Sequence, residues 1–253
     1  MKRNILGIAG LAVMIALPGV SQADLAYNVG VYSDYRYRGI SQTRFKPAVQ
    51  AGIDYSLGGL YAGAWASNIK WVKDAYGDAQ IEVDLYGGYK GSIIKDTLSY
   101  DVGVLQYVYP SAKTPTWSGI YKDPNTTELY GALTFGVTTL KVSYALTNLF
   151  GNYDFGARQD SKGSYYIDLS AGIDVGGGLT FTPHIGYQRV QNIANASYTD
   201  YALTLSKDFN GLVPSIAIVG TDANKSFYVP GGAANSSKFL GKGSLVVGVK
   251  YNF

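Results

Sequence analysis

Three charged residues near the start of the chain alternate with two tyrosines. The sequence Asp34-Tyr35-Arg36-Tyr37-Arg38 places an acid and two guanidinium groups at every second position. Because successive side chains of a β-strand point to opposite faces, a strand here would carry the three charges on one face and both tyrosines on the other. In a strand that crosses a membrane, this pattern predicts charges that face an aqueous lumen and rings that face the headgroups.

Carboxylates on other strands are predicted to face these arginines. They lie on the less apolar faces of their strands, near the end that we expect at the cell surface. Opposed charges across a narrow passage would orient polar solutes, and a ring dominated by one sign would select against ions of that sign. With a lysine and a histidine on the same inward face, the predicted pore lining is Asp34, Arg36, Arg38, Glu82, Asp84, Glu128, Asp168, Lys141 and His184. Because both signs are present, we predict no strong preference for anions or cations.

The same charges have a second interpretation. They could pair with their neighbours, plug the lumen and stabilise the barrel without permitting flow. The alternative to passive diffusion of small polar solutes is therefore a non-conducting barrel. Such a barrel would act as a surface-binding or structural protein through its extracellular loops, above all residues 110–126 and 222–242.

Catalysis has few candidate residues in this chain. His184 is the only histidine, and its neighbours in phase, Thr182 and Gly186, do not form a catalytic set. The absence of cysteine excludes disulfides, thiol nucleophiles and thiolate metal sites. We therefore predict no enzymatic activity, no cofactor and no metal site. A lumen enzyme based on His184 is the weakest of the three interpretations.

Two-residue periodicity between turn signals predicts the elements that position these side chains. Most of the segments have the 9 to 11 residues that a tilted strand needs to cross a membrane. The predicted strands are residues 25–35, 47–56, 60–69, 79–89, 98–109, 127–135, 138–147, 164–175, 179–188, 199–207, 212–221 and 243–253. Short and long connections alternate between them, as in an outer-membrane barrel with short periplasmic turns and long surface loops.

The cost of a misplaced charge decides which face meets lipid. In residues 79–89, the apolar Ile81, Val83 and Leu85 oppose Glu82 and Asp84. A basic side chain at the bilayer midplane costs roughly 2 to 4 kcal/mol, so the apolar faces must point outward. The sequence predicts an all-β protein: a closed antiparallel up-and-down transmembrane β-barrel of about 12 strands. A slip in the alternation at residues 104–106 predicts a bulge there.

The two ends of the chain predict an outer-membrane address. Residues 1–23 combine a basic start, an apolar run and small residues before Asp24, the pattern of a secretory signal peptide, which leaves 24–253 as the barrel. Leu245 to Phe253 alternate apolar and other residues and end on an aromatic ring. We expect the barrel-assembly machinery to recognise this last strand, and outer-membrane lipid and lipopolysaccharide to surround the wall. The predicted signal holds two of the 21 Lys and Arg and none of the 18 Asp and Glu, so the mature chain is nearly neutral and nucleic acid is not an implied partner. The oligomeric state is left open.

Three stretches also resemble a known family. Residues 33–42, 47–55 and 59–68, which contain the Asp34 to Arg38 motif and the glycines Gly52, Gly59 and Gly63, are similar to the TorF family of porins, also called the Gcw_chp family. The resemblance implies a proteobacterial outer-membrane barrel whose transport role is itself inferred. It implies no catalytic residues. The small residues would let backbone or a folded loop approach the wall closely.

Overall fold

A computed structural model describes residues 23–74, 77–110, 121–229 and 238–253. The predicted signal peptide, except Ala23, therefore lies outside the described residues, as do residues 111–120 and 230–237 of the two loops proposed for surface binding. None of the helices in the described ranges is long and apolar enough to cross a membrane.

Strands are the main elements of the described residues, as the alternating pattern predicts. The strands are β1 (Asp24–Tyr32), β2 (Arg36–Tyr37), β3 (Ile40–Ser41), β4 (Ala48–Leu57), β5 (Leu60–Asn68), β6 (Ile81–Ile94), β7 (Leu98–Val108), β8 (Thr126–Phe135), β9 (Thr138–Ala145), β10 (Tyr153–Asp154), β11 (Gln159–Asp160), β12 (Tyr165–Ala171), β13 (Ile173–Gly176), β14 (Leu179–Arg189), β15 (Tyr198–Lys207), β16 (Leu212–Thr221) and β17 (Ser244–Asn252). One helical turn, α1 (Trp71–Asp74), and one 3₁₀ turn, Leu149–Gly151, lie in the connections.

The main sheet closes on itself as an antiparallel barrel. Each barrel strand pairs with the next along the chain, and β1 pairs with β17 to join the two ends. At that seam the Tyr27 amide donates to the Phe253 carbonyl at 2.8 Å. β12 and β13 follow one another along β14 on either side of Gly172, so they count as one barrel strand. Within the described residues the barrel therefore has twelve strands, which confirms the predicted fold class.

The connections sort by length to the two ends of the barrel, as predicted. Short turns such as 58–59 and 136–137 lie at one end, here called the short-turn end, and loops such as 33–47 and 146–164 lie at the other, the long-loop end. One detail differs from the prediction. β7 pairs with β6 in regular register through residues 104–106, and the register shift lies instead between Ser92 and Ile94. The predicted bulge was wrong because Leu105 keeps its place in the alternation and is buried on the inward face.

The wall separates apolar from polar side chains by alternation alone. Along β1, Leu25, Val29 and Val31 are 42 to 50% exposed, whereas Tyr32 on the other face is 8% exposed. The same outward apolar face continues around the barrel, through Leu140 and Val142 on β9 and Leu203 on β15. A soluble protein would bury these faces, so the outer surface is suited to a hydrocarbon environment. Aromatic rings gather at the short-turn end, where Phe253 stacks on Tyr27 and Tyr251 with ring centroids 5.6 Å apart.

Candidate functional site

The first long loop folds back into the barrel instead of extending the wall. β1 ends at Tyr32, and β2 and β3 then form a small hairpin whose two turn residues, Arg38 and Gly39, have φ of 46° and 77°. Positive φ at both positions is the geometry of the tight turns that join hairpin strands. A Cβ at Gly39 would lie 2.7 Å from Cβ of Asp200 on β15, so only glycine fits this tip against the wall. We call residues 33–47 the inserted segment.

The insertion corrects the predicted position of two tyrosines. Tyr35 and Tyr37 were expected on the outer wall as part of an aromatic girdle, but Tyr35 is 4% exposed and both rings lie inside the barrel. Tyr35 donates to Oε1 of Glu82 at 2.6 Å, and the Tyr37 hydroxyl is hydrogen-bonded to that of Tyr107. The prediction failed because the strand stops at Tyr32, so the alternation that follows belongs to a hairpin within the lumen.

Arg38 reaches from the tip of the inserted segment to strands on the far side of the lumen. Its Nη2 donates to Oε2 of Glu128 on β8 at 2.7 Å, and its Nη1 donates to Oε1 of Gln188 on β14 at 2.5 Å. The guanidinium carbon lies 4.3 Å from the ring centroid of Tyr166 and 4.8 Å from that of Tyr37. Burial, the largest single effect, lowers the pKa of Arg38, but the adjoining Glu128 carboxylate together with Tyr37 and Tyr107 raises it to well above its ordinary value. The side chain therefore carries a fixed positive charge across the lumen.

Arg36 fastens the inserted segment to the end of the last long loop. Its Nε pairs with Asp34 at 2.5 Å, and its terminal nitrogens donate to the carbonyls of Leu240 and Lys242 and to Oγ of Ser244, at 3.2, 3.1 and 2.5 Å. Burial lowers the pKa of Arg36, and the Asp34 carboxylate opposes that shift. Asp34 also accepts from Ser41 and Thr43 within the segment. The predicted inward charges Asp34 and Arg36 thus lie inside the barrel, but on the inserted segment and in a neutral pair.

Three of the predicted carboxylates surround the inserted segment. Glu82, Asp84 and Glu128 are each 3% exposed or less. Glu82 accepts from Tyr35 and also from Tyr109, the latter at 2.8 Å. By contrast, Oδ1 of Asp84 and Oε1 of Glu128 have no hydrogen-bond partner within the described part of the chain. Buried carboxylate oxygens normally have partners, so these two atoms have unused capacity to accept hydrogen bonds.

The remaining predicted residues lie on neighbouring strands beside this layer. His184 on β14 is within 2.5 Å of Asp168 on β12 through Nε2, and its Nδ1 lies 3.6 Å from Asp200. Tyr166 donates to Asp200 at 2.9 Å and also contacts His184. Lys141, the cross-strand neighbour of Asp168, instead places its Nζ 4.1 Å from the ring centroid of Tyr130. Asp168 also accepts from the hydroxyl of Ser170 at 3.3 Å, and Ser170 is the cross-strand neighbour of His184. The serine hydroxyl is therefore bonded to the same carboxylate as Nε2 of His184.

Sequence reasoning missed three residues of this layer: Gln188 as a ligand of Arg38, Asp200 and Tyr166. Asp200 is 1% exposed and faces the lumen in phase with Thr204 and Ser206 of β15. The alternation along β15 could therefore have predicted that Asp200 faces the lumen, as it did for the other carboxylates. Tyr166 is likewise in phase with Asp168. A tyrosine contributes to both apolar and polar faces, so its residue type alone did not indicate the inward side.

The layer around Arg38 is here called the upper layer. A second layer nearer the short-turn end, the lower layer, is lined by paired tyrosines and aspartates. Tyr86 donates to Asp54 at 2.5 Å, Tyr61 donates to Asp101 at 2.5 Å, and the hydroxyls of Tyr61 and Tyr130 are hydrogen-bonded. Each ring lies against a glycine of the adjacent strand, as Tyr86 does on Gly63, Tyr61 on Gly88 and Tyr130 on Gly103. The missing Cβ lets the ring lie flat on the wall. The predicted close approach at Gly63 is therefore made by a ring, not by a loop.

No cluster of His, Asp and Glu in the described ranges is arranged to hold a metal ion. Comparison with known proteins gave one family and several structures. The family model Gcw_chp, described as "Bacterial protein of unknown function", matches residues 17–253. None of the curated proteins matches the chain.

Among solved structures, the KdgM porin is 9% identical, with a TM-score of 0.52 over 92% of this chain and 99% of that one. The NanC porin is 14% identical, with a TM-score of 0.54 over 90% and 99% of the two chains. An outer membrane channel from Pseudomonas putida F1 is 12% identical, with a TM-score of 0.51 over 94% and 96%. At these identities the similarity establishes a shared fold.

Proposed function

This chain belongs to the Gcw_chp family of bacterial proteins, and we propose that it is an outer-membrane channel through which small polar solutes diffuse. The three similar structures, two of them titled porins and one an outer membrane channel, have the same fold and support this function. In outer-membrane barrels the short turns face the periplasm. We therefore propose that both termini also lie on the periplasmic side and that the long-loop end faces the cell surface.

The carrying observation is the sorting of side chains across a closed wall. Exposed valines, leucines and isoleucines cover the outside, while Glu82, Asp84, Asp168 and Lys141 all lie on the inside. A barrel that crossed no membrane would gain nothing from this inversion, because its apolar outside would face water. Under this proposal, lipid and lipopolysaccharide contact the apolar band, and the barrel-assembly machinery recognises the last strand ending at Phe253.

The inserted segment determines how wide such a channel is. Its backbone and the Arg38 side chain cross the lumen at the long-loop end, so a solute passes only through the space left beside them. We therefore expect a narrow channel that admits ions and small metabolites and excludes larger ones.

A second candidate function is a closed barrel that does not conduct. The observation that favours it is the pairing of Arg38 with Glu128, which places a buried ion pair across the lumen. In that case the protein would act through its long loops at the surface. We propose no catalytic function, because His184 is held between Asp168 and Asp200, and the hydroxyl of the neighbouring Ser170 donates to Asp168, the carboxylate that Nε2 of His184 contacts.

Conductance in planar lipid bilayers separates the two candidates. The refolded barrel is inserted from detergent, and its folded state is checked by heat-dependent migration on gels. We expect discrete, small current steps, because water and ions fill the space beside the inserted segment. A barrel that migrates as folded, inserts and stays electrically silent would contradict the channel function and favour the surface-binding alternative.

A further inference from the structure

We propose that Glu128, Gln188 and Tyr166 form a binding site for the guanidinium group of a solute, and that Arg38 occupies this site as an internal stand-in. The proposal rests on the proposed channel function for how a solute reaches the site, and it names the chemical class of that solute. The argument begins from what these three wall residues do for Arg38.

The site has the geometry that a guanidinium requires. Two acceptors on different strands, Oε2 of Glu128 and Oε1 of Gln188, bind the two terminal nitrogens of one planar group, at 2.7 and 2.5 Å. The ring of Tyr166 covers one region of that plane, with its centroid 4.3 Å from the guanidinium carbon. A divided pair of acceptors and an aromatic face fit a guanidinium better than a compact ammonium, which is more strongly hydrated.

The three wall residues have contacts other than Arg38 that hold them in place. Glu128 is 1% and Gln188 2% exposed, and Oε2 of Glu128 also accepts from the Tyr107 hydroxyl at 3.2 Å. Gln188 is fixed by its own amide, which donates to the carbonyls of Tyr165 and Arg189 at 3.0 and 3.1 Å. Tyr166 is held by its hydrogen bond to Asp200. A solute that displaced Arg38 would therefore find the same three groups in place.

Charge in the surrounding layer also favours a cation. Acidic side chains outnumber basic ones there: Glu82, Asp84, Glu128, Asp168 and Asp200 lie around Arg38, Lys141 and His184. Oε1 of Glu128 and Oδ1 of Asp84 add two buried acceptor atoms without a hydrogen-bond partner in the described residues. If Arg38 leaves the site, the layer loses one positive charge. A cationic solute would replace that charge, whereas an anion would add to the excess of acidic groups.

Arg38 is placed so that it can leave without unfolding its segment. It occupies the turn of the hairpin, whereas Arg36 and Asp34 hold the base of the hairpin through bonds to the last long loop and to Ser41. Exchange of Arg38 for a solute therefore requires rotation of one side chain at the tip. Shortening Arg38 should leave a cavity of guanidinium shape behind it.

Binding to the Arg38→Ala barrel tests the site without reference to transport. The probe is methylguanidinium at millimolar concentration, added to purified barrel in detergent, and the readout is the thermal unfolding midpoint. We expect methylguanidinium to raise the midpoint of Arg38→Ala clearly and that of the wild type by much less, because in the wild type the probe must first displace Arg38. Methylammonium and neutral methylurea are the matched control ligands, and both should have a smaller effect.

The double variant Arg38→Ala with Glu128→Gln identifies the site, because it keeps the cavity but removes the carboxylate. It should lose the stabilisation by methylguanidinium. Equal stabilisation of the wild type, the single variant and the double variant would overturn the proposal, as would none in the single variant. If Arg38→Ala does not fold, Arg38→Gln retains part of the stem and is tested in the same way. If the barrel binds methylguanidinium but never conducts, the channel function is wrong and the site stands. If the Arg38→Ala barrel conducts but does not bind methylguanidinium, the site is wrong and the channel function stands.

Discussion

The carboxylates in the two layers of the lumen have different hydrogen-bond partners. Near the long-loop end, Glu128 and its neighbours receive a positive charge from Arg38, which arrives on a separate segment of backbone. Near the short-turn end, Asp54 and Asp101 accept hydrogen bonds from the hydroxyls of Tyr86 and Tyr61, which lie on strands of the wall itself. The first layer can be emptied by moving one hairpin, but the second cannot change without altering the strands. The difference locates any adjustable constriction at the long-loop end.

Removal of the inserted segment should have the largest effect. Replacing residues 34–45 by a short Gly-Ser linker removes Arg38 and the hairpin while keeping β1 and β4 intact. We expect single-channel conductance in planar bilayers to rise several-fold, because the lower layer then sets the width. The matched control replaces residues 155–158, the exposed turn between β10 and β11, and should leave conductance unchanged. An unchanged conductance after removal of the segment would mean that the lower layer limits flow.

Carboxylate-to-amide substitutions should affect stability unequally in the two layers. Glu128→Gln leaves the buried Arg38 guanidinium without its counter-charge, which typically costs about 3 to 5 kcal/mol in the free energy of unfolding. Asp101→Asn keeps an acceptor for Tyr61, and we expect a loss of about 1 kcal/mol. Urea unfolding of each variant in the same micelles measures both values.

A double variant tests whether the unpaired charge of Arg38 causes the loss in Glu128→Gln. Arg38→Met with Glu128→Leu removes both charges together, and it should recover most of the stability lost in Glu128→Gln. Similar losses for Glu128→Gln and Asp101→Asn would show that water reaches the Arg38 pair. The contrast between the layers would then not lie in their electrostatics.

The strands of the barrel wall could be predicted from the sequence, whereas the hairpin that fills the upper layer of the lumen could not. Period-two alternation fixes which face of a strand is apolar, and a charge in lipid costs enough to decide the direction. The inserted segment has the same period, since Tyr35, Arg36 and Tyr37 alternate as a strand would. Only the turn at Gly39 distinguishes a hairpin there from a continuing strand.

The partners of the inserted segment depend on contacts far apart in the chain. Arg38 meets Gln188 across 150 positions and Glu128 across 90. No local pattern encodes such a meeting, because it follows from barrel closure and from where the hairpin tip comes to rest. The lower layer is closer to being predictable, since Tyr86 and Gly63 are direct cross-strand partners on adjacent strands.

The smallest effects should come from glycines of the lower layer, and they sharpen the comparison most. A Cβ at Gly63 would lie 2.5 Å from the Tyr86 ring, so Gly63→Ala must swing the ring off the wall and weaken its bond to Asp54. We expect a loss of about 1 kcal/mol in the free energy of unfolding. The matched control is Gly131→Ala, whose added methyl has its nearest contact at 4.0 Å and should change nothing.

Conductance of the same variant tells which layer limits flow. If the inserted segment is the narrowest point of the full-length barrel, as we propose, Gly63→Ala should leave its current almost unchanged. In the barrel without residues 34–45, the displaced Tyr86 ring enters the path that remains, and the current should fall by a measurable fraction. If Gly63→Ala reduced the full-length current as strongly as that of the shortened barrel, the tyrosine layer would be the true constriction, and the inserted segment would lie beside the path of the solute.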